Sequence, residues 1–128
     1  MNTPIITLDT PQAVLAAIPM LLRFVPSDSL VAIMVGADRR TVRCAIRCDI
    51  TISEDQAAAL PDTCHLTAEH NGAAVLVAVC DPGLRDYAFA ILDATRLALR
   101  AVGIPVARML TTDSLAERSE ERRVGKEC

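Results

Sequence analysis

Two uninterrupted apolar runs, Leu30 to Val35 and Ala73 to Val79, constrain this chain more than any other feature. Neither shows the polar alternation of a half-wet strand. Each is far shorter than the roughly twenty residues a membrane span needs. Runs of this length and evenness are strands covered on both faces. A chain with two of them has to place helices against a sheet, because strands of this kind leave no face for water.

The segments around these runs fill in the layers. Ile5 to Leu8 is short and β-prone. Thr10 then precedes Pro11, a helix-capping residue followed by the one residue that loses nothing in a first helical turn. Val14, Leu15, Ile18, Leu21 and Leu22 recur at helical spacing, and Pro19 is expected to kink or restart the helix near Ala17, giving two short pieces that end by Arg23 or Phe24. Pro26-Ser27-Asp28-Ser29 reads as a turn feeding the first apolar strand. After a polar connection over residues 36–40, Val42, Cys44, Ile46, Cys48, Ile50 and Ile52 alternate with Thr41, Arg43, Ala45, Arg47, Asp49 and Thr51. This pattern predicts an antiparallel hairpin strand toward an edge of the sheet. Ser53 and Gln56 have capping-box spacing, so a helix is expected from Glu54 to Leu60, ending at Pro61. Residues 62–72 read as loop.

The second apolar run is followed by Asp81-Pro82-Gly83. A helix is expected next, with Leu84, Tyr87, Ala88, Ile91, Leu92, Thr95, Leu99 and Val102 buried and Gly103 as its stop. A strand over Ile104 to Leu110 completes a strand-helix-strand unit, which implies parallel pairing and a right-handed crossover. Ser114 with Glu117 repeats the capping-box spacing. The fold class expected is therefore α/β: a mixed β-sheet with an antiparallel hairpin and a βαβ unit, helices packed on the sheet, and a single domain over residues 1–117.

The last eleven residues, Arg118 to Cys128, break from this composition. They hold the one lysine of the chain, Lys126, where every earlier basic residue is Arg. The peptide resembles translated sequencing-adapter read-through and is set apart as a non-native or disordered tail; a charged, solvated native tail is the other reading. On the first reading the natural protein continues past Glu117 and residues 1–117 are an N-terminal fragment. The remaining body has nine Arg against thirteen acidic residues. Without a basic run it is no surface for nucleic acid. No secretory signal precedes the first helix and no apolar stretch is long enough for a membrane, so a cytoplasmic protein is expected. Aromatic residues are 2% of the chain with no Trp, which disfavours recognition by ring stacking. Cys44, Cys48, Cys64 and Cys80 need no oxidised framework, and Cys44 and Cys48 lie too far apart along one strand for a disulfide.

Pro19-Met-Leu-Leu-Arg-Phe-Val-Pro-Ser-Asp-Ser-Leu-Val31, followed by an apolar strand and then by Arg47-Cys-Asp-Ile50, resembles the bacterial family called domain of unknown function 4192. That family typically shows Pro-x-Leu-Leu-Gly-Phe-x-Pro-x-Asp-Ser-Leu-Val at this place, and Arg23 stands here where the family usually has Gly. The resemblance covers Ile18 to Val31 closely and the rest of the body loosely. It implies a soluble actinobacterial protein and no particular activity. Family members are longer, with a later aromatic and Cys-rich segment that this chain lacks.

No constellation of residues specifies a reaction. Ser27, Asp28 and Ser29 sit at the mouth of the first apolar strand and could offer polar groups to a ligand, or simply tie down the turn. Neither serine has a histidine at local spacing to serve as its base. Asp81 lies at the carboxyl edge of the βαβ unit, where open α/β sheets bind ligands, or else caps the helix that follows. Its loop holds one glycine, too few to cradle a phosphate. Cys64, His65 and His70 lack zinc-ligand spacing, so no metal and no cofactor is expected. Two functions from different classes remain. One is a non-catalytic binding or assembly module that docks a protein partner or the missing C-terminal region of its own chain. The other is part of an enzyme acting on a small molecule near Asp28 and Asp81, with its remaining catalytic groups beyond Glu117.

Overall fold

A computed structural model describes residues 10–113. The expected strand at Ile5 to Leu8, the capping box at Ser114 and the tail from Arg118 lie outside the described residues. The elements run α1 (Pro11–Leu22), β1 (Ser29–Val35), β2 (Val42–Asp49), α2 (Glu54–Ala58), α3 (Leu60–Thr63), β3 (Ala73–Val79), a 3-10 turn (Pro82–Leu84), α4 (Arg85–Ala101) and β4 (Val106–Thr112).

Both apolar runs form strands and lie side by side in the middle of a four-stranded sheet of order β2-β1-β3-β4. β1 is antiparallel to both β2 and β3, while β3 and β4 are parallel across the α4 crossover. Every residue of β1 and β3 is buried. Alternate residues serve opposite layers: Leu30, Ala32, Met34, Ala74, Leu76 and Ala78 pack with residues of α2, α3 and α4. Val31, Ile33, Val35, Val75, Val77 and Val79 pack with Val14, Leu15 and Ile18 of α1. The sheet is therefore sandwiched, which is why its two central strands carry no polar face.

Several local expectations need correction. α1 is one helix, not two pieces, although Pro19 stands inside it. Proline lies in the last turn, where its missing amide forfeits a single bond to Leu15 and leaves the preceding turns intact. Pro61 does not end the second helix but sits in the first turn of a new one, α3, where its missing donor would have no partner anyway. Val42 faces the α1 layer and Cys44, Ile46 and Cys48 the opposite one, because a bulge at Arg43 interrupts the strict alternation. Tyr87 and Val102, expected in the buried stripe of α4, are exposed. The Tyr87 hydroxyl donates to the carbonyl of Ile52 at the rim, and Val102 lies just beyond the last residue of the helix. The final strand starts two residues later than expected. Gly103, at φ 87°, donates to the Arg100 carbonyl and Ile104 to the Leu99 carbonyl, so Ile104 belongs to the helix stop and is buried there.

Candidate functional site

The topology brings four strand ends together. Ser29 at the start of β1 pairs with Val79 at the end of β3 and with Asp49 at the end of β2, and Val79 pairs with Thr112 at the end of β4. The candidate residues Ser27, Asp28, Ser29 and Asp81 all belong to this end of the sheet, but their side chains do different things.

Ser29 is wholly buried. Its hydroxyl donates to the Ser27 carbonyl at 2.6 Å and accepts from Arg47 Nε at 2.8 Å. Arg47 in turn holds Asp49 at 3.0 Å. The hydroxyl is thus committed as a strut between the turn and the neighbouring strand, and among the described residues its bonds go to a carbonyl and a guanidinium, neither of them a base. Ser27 contributes its carbonyl to the same strut. Asp28 adopts φ 45° and gives its carbonyl to the Ile50 amide at 3.0 Å, continuing the β1–β2 ladder past the end of β1. Asp is among the residues that tolerate this left-handed geometry. Its carboxylate is exposed.

Asp81 opens the 3-10 turn through its carbonyl, which accepts from the Leu84 amide at 2.9 Å, while its side chain makes no capping bond. That carboxylate is exposed as well. Between these groups lies Cys80, buried beneath the end of β3. Burial pushes its thiol above the ordinary range; Arg85 opposes that shift, and the carboxylates of Asp28, Asp113 and Asp81 add to it. All four charged groups therefore act on one buried sulfur. Arg85 is paired with Asp113 at 3.0 Å. A raised pKa keeps Cys80 a neutral thiol, the opposite of an activated nucleophile.

Sequence reasoning missed Arg47, Asp49, Arg85 and Asp113 in this neighbourhood. The pairing of Arg47 with Ser29 spans 18 positions and depends on strand register, so no local spacing could have signalled it. The second group of note is apolar. Met20, Phe24 and Val25, around the end of α1, are 79%, 50% and 49% exposed, while Pro26 between them and the turn is buried. Cys64, His65 and His70 form no such cluster: Cys64 is half-buried against the core and both histidines are exposed. Among the described residues no group of three or more His, Cys, Asp or Glu could hold a metal ion. Among the same residues no helix is long and apolar enough to cross a membrane.

Residues 11–120 match the family model described as Domain of unknown function (DUF4192). The chain belongs to this family. The DUF4192 match takes in the whole strand-end cluster and the exposed end of α1. It also gives a setting for Arg23. This residue closes α1 at φ 69° and ψ 20°, with its amide donating to the Pro19 carbonyl at 2.8 Å. A left-handed helix terminus of this kind is the position where glycine is favoured, so the Gly that the resemblance leads one to expect at this place would suit the backbone better than the Arg found here. No curated protein and no solved structure matches the chain.

Proposed function

We propose that the chain works as a non-catalytic binding or assembly module that docks a protein partner on the exposed end of α1. The observation that carries this reading is the exposure of Met20, Phe24 and Val25 within six residues of one another. Large side chains left in water close together are the mark of an interaction surface; the other exposed large apolar side chains, Tyr87, Phe89, Leu97, Val102 and Met109, are spread along α4, its end and β4. The commitment of the Ser29 hydroxyl to Ser27 and Arg47 supports the same reading, since it removes that buried hydroxyl from chemistry. The excess of acidic over basic residues favours a protein over nucleic acid as the partner.

The test is site-specific photocrosslinking in cells that carry the protein natively. A photoreactive residue at position 24 is expected to form an adduct of one discrete mass, lost when Met20 and Val25 are both changed to Ser. The same residue at position 97, on the exposed side of α4, is expected to form none. Equal crosslinking from positions 24 and 97, or an adduct indifferent to the two serines, would refute the docking surface.

The alternative is an enzyme on a small molecule, and it draws on the gathering of the Asp28, Asp81 and Asp113 carboxylates around Cys80. On that reading Asp28→Asn and Asp81→Asn abolish turnover while leaving the crosslink at position 24 unchanged.

A further inference from the structure

The two helices that cover opposite faces of the sheet are dressed differently. α4 carries Asp86, Asp93 and Arg100 on its exposed side, as a helix lying between a sheet and water ordinarily does. α1 has no charged residue among its twelve. Val14, Leu15 and Ile18 are buried against the sheet, while Gln12, Ala16 and Met20, at four-residue spacing on the other side, are exposed. A helix without charge on either side belongs in an interior. Its outward side leads on to the exposed Phe24 and Val25, so the surface that wants cover extends from the helix into the connector.

The charges of the connector say what covers it. Arg23 precedes the apolar pair and Asp28 follows it; both are exposed, and neither forms an ion pair with another described residue. A cation on one side of an apolar centre and an anion on the other make a patch that carries its own complement. A contact between identical chains around a two-fold axis requires that property, since each copy presents the same patch to the other. We propose that the occupant of this surface is a second copy of the chain, turned about a two-fold axis through Phe24 and Val25. Arg23 of each copy then faces Asp28 of the other, and the uncharged sides of α1 are turned toward one another. The proposal rests on the docking surface argued above and names its partner. The two reciprocal ion pairs lie at the rim and fix orientation more than strength, which comes from the apolar centre.

Sedimentation equilibrium of the purified full chain tests it. A reversible monomer-dimer equilibrium is expected, with the adduct formed from position 24 at twice the mass of the chain. Arg23→Asp and Asp28→Lys are each expected to weaken the dimer about tenfold or more, because either one turns both reciprocal pairs into like-charge contacts. An equimolar mixture of the two variants is expected to dimerise as tightly as the unchanged chain, since both pairs then join opposite charges again. Circular dichroism melts check that each variant folds. Asp tolerates the left-handed backbone of position 23, so Arg23→Asp, together with a monomeric Met20→Ser, Val25→Ser chain, decides the point if Asp28→Lys does not fold. A chain that stays monomeric at millimolar concentration overturns the proposal. If an adduct from position 24 then persists in cells at a mass other than twice that of the chain, the docking surface stands with a different occupant; if no adduct forms, the surface falls too. A dimer indifferent to the charge reversals, or one that survives the two serines, also overturns the proposal, because its contact lies on another face.

Discussion

Glycine at position 23 should give a more stable fold than alanine there, and the amount can be worked from one dihedral. Arg23 closes α1 at φ 69°, its side chain lies in solvent, and its amide bond to the Pro19 carbonyl is kept whatever the side chain. Left-handed backbone costs an L-residue about 1–2 kcal/mol. Glycine escapes that cost but gives back about 0.4–1 kcal/mol through the greater freedom of its unfolded chain. Removing Arg also removes a cation from a helix C-terminus, a loss of about 0.3–1 kcal/mol. Arg23→Ala loses the same charge without relieving the backbone, so the Gly variant compared with the Ala variant isolates the dihedral. The expected gap is about 1 kcal/mol in favour of Gly, or roughly 3–6 °C in Tm for a chain of this size. Urea denaturation of the two variants, with slopes unchanged and midpoints shifted, measures it. Equal midpoints, or a lower one for Gly, would refute the account of Arg23 as a strained substitute in a glycine position.

Two further perturbations follow from the loops. A Cβ on Gly72 would come to 2.5 Å from the Gly36 carbonyl oxygen and 2.7 Å from the Ala37 Cα, both backbone atoms, so Gly72→Ala should cost about 1–3 kcal/mol as a case of overpacking. Gly83→Ala, where nothing lies within 4 Å, should leave Tm nearly unchanged, and thermal melts of the pair decide the point. In the β1–β2 connection, bonds from the Thr41 hydroxyl, the Thr41 amide and the Arg40 amide lower the Asp38 carboxyl from 3.8 to about 2. A depressed carboxylate contributes stability that is fully present above its unfolded pKa and is lost as pH falls through the folded one. Carboxyl resonances of Asp38 should therefore titrate near 2, with the connection loosening only as pH falls from about 4 toward that value; a midpoint at the ordinary value would refute the bonding.

How much of this was legible in the sequence depended on how local the cause was. β1 and β3 were readable because coverage on both faces removes every polar position, and the spacing of Ser53 and Gln56 carries its own bonds, at 2.9 and 3.1 Å. The bulge at Arg43 was hidden, since residues 41–52 alternate in sequence whether or not one residue is skipped in the pairing. Pro19 misled because proline's cost depends on how many turns remain beyond it, and here α1 ends three residues later. In the candidate site, the positions of Ser27, Asp28, Ser29 and Asp81 at one sheet end followed from strand order. The fate of each side chain did not. Whether Ser29 is free or occupied is decided by Arg47, and Arg47 reaches it only because β2 is antiparallel in one particular register.

That register also links the two surfaces on which function has been argued. The segment from Arg23 to Asp28 leaves the end of α1 and enters β1, so the exposed Phe24 and Val25 and the exposed carboxylate of Asp28 lie on one short connector, anchored between them by the buried Pro26. At its far end the connector is held by the Ser29 hydroxyl, which bonds back to Ser27 and across to Arg47. A segment fixed at both ends presents its side chains with little conformational freedom left to lose, which lowers the entropic cost of docking on it. Arg47 and Arg85 are each engaged with an aspartate, Asp49 and Asp113, so the exposed charges of the connector itself are Arg23 at one end and Asp28 at the other. A partner seated on Phe24 and Val25 therefore meets Arg23 on one side and Asp28 on the other, and a surface that sets an acidic and a basic residue at opposite margins of an apolar centre fits this connector better than an apolar surface alone.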